Sequence, residues 1–176
     1  MGILVAGISF VGCKKDSEDK PNQFQVADNA YPVDSLELEF DGSVTNGYGF
    51  YLDLISPEIT VDEYGYWGNK GNVICFELIS SDMTGIPSGE YVFDETGNGP
   101  AFSLLSADYC VNWIYNSPGS VWTSLASGTI SVSRNGNKYE ISFTGTDEDG
   151  KKVTAYYNGV GTVYDFSQGK STRANN

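Results

Sequence analysis

The stretch Gly128-Thr129-Ile130-Ser131-Val132-Ser133-Arg134-Asn135-Gly136-Asn137-Lys138-Tyr139-Glu140-Ile141-Ser142-Phe143-Thr144 decides the fold. Tyr139, Ile141 and Phe143 alternate with Glu140, Ser142 and Thr144, so an extended chain turns its apolar side chains to one face and its polar ones to the other. Ile130 and Val132 repeat the pattern one strand earlier. Asn135-Gly136-Asn137 between them supplies residues that accept the positive φ of a tight hairpin. Asp147-Glu148-Asp149-Gly150 is a second such turn, and residues 152–158 make the third strand.

The same alternation continues upstream. Leu36-Glu37-Leu38-Glu39-Phe40 alternates cleanly, and strands are expected over 48–55, 59–62, 72–80, 89–93, 101–106, 109–115 and 121–123, with a last one at 161–166. No stretch reads as a helix, although 103–108 could make a single turn. Short strands with turn residues at near-regular spacing predict an all-β domain over 31–166. Its architecture is expected to be one antiparallel β-sandwich, jelly-roll-like, with an up-and-down β-barrel holding an interior ligand as the alternative. Residues 167–176 form a polar tail expected to fray.

The hairpin residues Ser127 to Ser133, Gly136 to Phe143, Asp149-Gly150-Lys151-Lys152-Val153 and Tyr157-Asn158-Gly159, with Gly85-Ile86-Pro87-Ser88-Gly89-Glu90-Tyr91 upstream, resemble a set found in uncharacterised Bacteroidetes surface lipoproteins. The resemblance covers the last half of the chain. It implies an export address and an antiparallel β fold, and brings no catalytic motif.

The other end of the chain carries that address. Residues 2–11 form an apolar run of the length of a signal-peptide core, about half of what spans a bilayer. Phe10-Val11-Gly12-Cys13 resembles a lipobox, with Phe10 where Leu is usual and no basic residue ahead of the run, as a start codon placed too far downstream would give. Residues 1–12 are therefore expected to be a lipoprotein signal peptide and Cys13 the lipidated residue, joining the chain to a membrane through lipid. Residues 13–30 then form the lipidated cysteine and a disordered tether, because Lys14-Lys15-Asp16-Ser17-Glu18-Asp19-Lys20 offers almost nothing to bury. A cysteine followed by Lys and acidic residues resembles the tether of Bacteroidetes lipoproteins carried to the outer face of the outer membrane, which implies a cell-surface location.

Composition removes whole classes of function. A formal net charge of -13 repels nucleic acid and anionic lipid. The chain has no histidine, which excludes Ser-His-Asp and Cys-His catalysis and most zinc sites. Cys75 and Cys110 lie in strand-like runs destined for an oxidising compartment. They could pair across neighbouring strands as a disulfide or stay two separate buried thiols.

Four further segments invite chemistry. Asp62-Glu63-Tyr64-Gly65-Tyr66-Trp67-Gly68-Asn69-Lys70-Gly71-Asn72 sets aromatics among glycines and amides in an expected loop. Tyr64, Tyr66 and Trp67 could stack on sugar rings while Asp62 and Asn69 bond to hydroxyls, or the rings could cap a core. Tyr109, Val111, Trp113 and Tyr115 alternate onto a single strand face, with Trp122 nearby, and are read as core. Thr146 to Gly150 lacks the ligand pattern of a calcium loop, and the pairs Asp62–Glu63 and Glu37–Glu39 cannot flank a glycosidic bond. Thr96-Gly97-Asn98-Gly99 is a turn without the features of a phosphate loop. The reading is a cell-surface lipoprotein with a non-enzymatic binding module for glycan, without metal or cofactor. An adhesive or structural subunit of a surface assembly is the alternative, and a glycoside hydrolase the third.

Overall fold

The structure is a computed structural model and describes residues 20–168, apart from 95 and 98, together with the pair 172–173. The expected signal peptide, Cys13, the expected tether up to residue 19 and most of the polar tail lie outside the described residues. The elements are β1 (Gln23–Val26), β2 (Asn29–Pro32), β3 (Ser35–Val44), β4 (Gly47–Ile55), β5 (Ile59–Val61), β6 (Trp67–Ser80), β7 (Gly89–Phe93), β8 (Ser103–Ile114), β9 (Trp122–Asn135), β10 (Lys138–Asp147), β11 (Lys152–Asp165) and β12 (Thr172–Arg173). No helix occurs among the described residues, and 103–108 is strand.

The all-β class holds, and of the two architectures the barrel is the one that forms. Strands β3, β4, β6, β8, β9, β10 and β11 run as a meander, each antiparallel to the next. With seven alternating strands, the first and last point the same way, so closure is a parallel pairing of Gly161–Asp165 on Leu36–Phe40. One end of the wall takes β7 as an eighth strand, parallel to β8 and antiparallel to β9. A sandwich would leave sheet edges open where β11 instead pairs with both β10 and β3. Local alternation suits either architecture. Only this long-range pairing decides between them.

The expected faces hold. Ile130, Val132, Tyr139, Ile141 and Phe143 are all buried, and Ile141 pairs with Val132 and Phe143 with Ile130 across the hairpin. The turn residue Gly136 sits at φ 64°, the left-handed conformation the Asn-Gly signal called for. Phe50, Phe76, Phe143, Tyr91, Leu38 and Leu52 are among the side chains that fill the interior, with the rings of Phe76 and Phe143 4.9 Å apart. An eight-stranded barrel can be filled by side chains or hold one small ligand, and here large side chains occupy the interior.

Two boundaries move. The expected tether ends earlier, because Gln23–Val26 pairs with Thr154, Val153 and their neighbours on β11 and Asn29–Pro32 pairs back on β1. Phe24 is fully buried and stacks on Tyr31 at 4.9 Å, so this hairpin belongs to the domain. In the tail, Thr172–Arg173 pairs with Tyr164–Asp165.

Candidate functional site

Outward-facing residues of four adjacent strands build the floor of a pocket. On β4 the inward positions are Phe50, Leu52 and Leu54, which turns Tyr51 and Asp53 outward. Register then aligns Asp53 with Cys75 of β6, and Cys75 with Asp108 of β8. Glu39 of β3 stands opposite Tyr51. Three carboxyl groups from three strands thus share one patch of wall with a thiol and a phenol.

The walls come from both aromatic segments singled out in the sequence. The pocket of about 810 Å³ is bounded by Gly65, Tyr66, Trp67, Trp113, Tyr115, Asn116, Trp122 and Phe166 around Glu39, Tyr51, Asp53, Cys75 and Asp108. All three tryptophans of the chain are in this lining.

Of the loop expected over 62–72, only 62–66 is a turn, a tight hairpin between β5 and β6 organised by Asp62; residues 67–72 are strand, the start of β6. The Asp62 Oδ1 accepts the backbone N–H groups of Tyr64 at 2.8 Å and Tyr66 at 2.9 Å. Asp62 therefore shapes the turn and does not line the pocket. Gly65 is buried at φ 86°, and a Cβ there would come within 2.9 Å of the Tyr164 ring, so only glycine lets the turn lie flat on β11. The turn delivers Tyr66, 56 % exposed, against Phe166 edge to face at 6.1 Å. Tyr64 is exposed and outside the pocket lining. Asn69 is also outside it: it takes a left-handed φ of 64°, and its carbonyl accepts the Tyr115 N–H at 2.8 Å. Of the five residues expected to touch ligand, Tyr66 and Trp67 line the pocket, while Asp62 and Asn69 position its walls.

The stripe expected from Tyr109 to Tyr115 breaks in the middle. Val73 pairs with Cys110 but Gly71 pairs with Trp113, so β8 carries an extra residue there, a β-bulge. Asn112 sits at φ 61° in the bulge, its N–H held by the Asn72 Oδ1 at 3.0 Å. Tyr109 and Val111 stay with the barrel core, whereas Trp113 and Tyr115 turn out into the pocket. Trp113 then meets Trp67 over a small apolar cluster of Ile55, Ile59, Val73 and Cys110. That cluster anchors both indoles.

Cys75 and Cys110 are free thiols. Each faces the outer wall, but the register sets Cys75 opposite Asp108 and Cys110 opposite Val73. Such diagonal positions are about 7–8 Å apart, beyond the reach of a disulfide without backbone movement. Burial pushes the Cys75 thiol well up, and the Asp53 charge adds to it. The thiol is thus held in its protonated form as a hydrogen-bond donor to Asp53.

The electrostatics of the floor are one-sided. Burial raises Asp53 well above the usual carboxylate range, and Glu39 adds to the rise against the opposing Cys75 hydrogen bond. Burial, then the charge of Asp41, brings Glu39 up to about 7. Asp108 accepts the Ser124 hydroxyl at 2.6 Å. No Lys or Arg lines the pocket. The ion pairs of the described residues, Arg134–Asp82 at 3.7 Å and Lys151–Asp149 at 2.8 Å, are elsewhere.

No protein-family model, curated protein or solved structure matches the chain. The chemistry of the pocket is therefore the guide. Flat aromatic faces offer stacking surface, and a carboxyl raised to about 7, as Glu39 is, can both donate and accept hydrogen bonds. Glu39, Tyr51, Asp53 and Asp108 are outward polar residues on alternating strands, the pattern of any wet face. Only register shows that they converge.

Proposed function

We propose that this protein is a cell-surface lipoprotein, anchored through lipid on Cys13, whose barrel is a non-enzymatic glycan-binding module. The observation that carries the reading is the outer-wall pocket, in which Tyr66, Trp67, Trp113 and Trp122 stand around Glu39, Asp53 and Asp108. A sugar ring has two apolar faces and a rim of hydroxyls. Indole and phenol rings cover the faces, and the carboxyl floor reaches the rim. The pocket volume of about 810 Å³ suits a short saccharide segment.

Because every tryptophan of the chain lines the pocket, intrinsic fluorescence reports on it directly. Titration with a panel of soluble oligosaccharides should give saturable changes in emission that Trp67→Ala weakens by about tenfold or more. Emission unchanged across the panel would overturn the glycan reading. Release of new reducing ends from a bound saccharide would replace binding with hydrolysis.

The adhesive reading has its own support in the apolar rim. Ile114, Tyr115 and Trp122 are exposed there, and Val121 is 74 % exposed. Light scattering at high concentration separates the two readings, since self-association lost on Val121→Asp would place a protein on that rim.

A further inference from the structure

We infer that the saccharide held by the outer-wall pocket carries a protonated amine, seated between Asp53 and Glu39 and walled by Trp67 and Trp113. The inference rests on the glycan reading above and names the chemistry of its ligand.

The pocket presents acid without counter-charge. Glu39, Asp53 and Asp108 come from three separate strands, and register brings them together. Nothing in the barrel's packing requires this, because outward positions of a wall can carry any polar residue. Asp53 is the deepest of the three at 3 % exposed. Its carboxyl faces the pocket with a thiol as hydrogen-bond donor and no basic side chain in the lining. A buried carboxyl without a cation is costly to ionise, and the cost falls when a ligand supplies the charge.

The walls select the same sign. Indole and phenol faces are electronegative and attract a cation over the ring, most strongly where water is displaced. An anionic sugar would meet three carboxyls and several ring faces, all unfavourable. A neutral sugar would bond to the floor but leave its charge unmatched. An ammonium group on a sugar ring satisfies both halves of the site: the ring stacks on indole while the charge pairs with carboxylate. Glu39 stands at about 7, so at neutral pH the incoming amine completes its ionisation and a proton leaves.

The test compares three trisaccharides of matched size on the full chain by tryptophan emission at pH 7: a β-1,4-glucosamine trimer, its N-acetylated form and cellotriose. The amine trimer should bind about tenfold or more tighter than the other two, with the preference shrinking as salt rises. Glu39→Gln and Asp53→Asn should each bring that preference down to about threefold or less. Glu39 is only half-buried, so its variant keeps the test available should the Asp53 variant fail to fold. Equal binding of the three sugars, or a preference that survives in a folded variant, overturns the amine inference and leaves the glycan pocket standing. No response to any of the three overturns both.

Discussion

Trp67 and Trp113 meet edge to face, their ring centroids 5.7 Å apart at 84°. One comes from the start of β6 and the other from beyond the bulge of β8, so their contact joins the two aromatic segments into one wall. Trp113→Ala should loosen that wall and uncover the cluster of Ile55, Ile59, Val73 and Cys110. The expected loss is roughly 1–3 kcal/mol for a half-buried indole, read from urea unfolding. Unchanged stability would show that the indole is not anchored on that cluster.

Gly65→Ala tests how the turn is held. The substitution needs a left-handed backbone at φ 86° and sets a methyl within 2.9 Å of the Tyr164 ring. Together these should cost about 1–3 kcal/mol. Pairing it with Tyr164→Leu should recover part of the loss, because a leucine side chain can move aside where a ring cannot. A double-mutant cycle in thermal melts measures the recovery, and strict additivity would deny the contact.

The acids of the pocket floor set a pH dependence with a definite sign. Glu39 is raised to about 7 and Asp53 is raised as well, so both bind a proton more readily in the folded state than in the unfolded one. Their stabilising contribution is complete below the unfolded values and is lost as pH rises through about 7. The protein should be more stable at pH 5 than at pH 8, by on the order of 1–3 kcal/mol, with Glu39→Gln flattening the slope. A melting temperature that rises from pH 5 to pH 8 would contradict this assignment.

Asp147 is a buried acceptor at the end of β10. Its Oδ2 accepts the Tyr109 hydroxyl at 3.0 Å, and its Oδ1 accepts the N–H groups of Asp149 at 3.0 Å and Lys151 at 2.8 Å. The residue is only 1 % exposed, so Asp147→Ala strands three donors and should cost about 2–4 kcal/mol in urea unfolding. Asp149→Ala, which removes an exposed ion pair to Lys151, should leave the unfolding curve where it was.

The β1–β2 hairpin gives a test of the domain boundary. A chain beginning at Lys20 keeps Phe24 in the core, whereas Phe24→Ala opens a cavity beside Ala155 and should cost about 3–5 kcal/mol. Amide exchange along Thr154 to Tyr156 should quicken in that variant. Protection unchanged there would return the hairpin to the tether.

How far the sequence could be read follows from the range of each interaction. The hairpin at Asn135-Gly136-Asn137 and the buried face of Tyr139, Ile141 and Phe143 depend on neighbours, and both were legible. The 109–115 stripe failed because one inserted residue reverses every face beyond it, and Asn112 gave no local sign of a bulge. Gln23-Phe24-Gln25-Val26 is too short and polar to stand out from the charged segment before it. It becomes a strand only because β11 offers a partner. The carboxyl floor was the least legible, since Glu39, Asp53 and Asp108 meet through pairings that span four strands.

The parallel seam between Leu36–Phe40 and Gly161–Asp165 ties nearly the first long strand to nearly the last. The wall cannot close until the chain is almost fully made, and every earlier length leaves β3 with an unpaired rim. High sequence separation of this kind slows folding. Until that last long strand is in place, the open edge of β3 is a template on which the strand of another copy could pair.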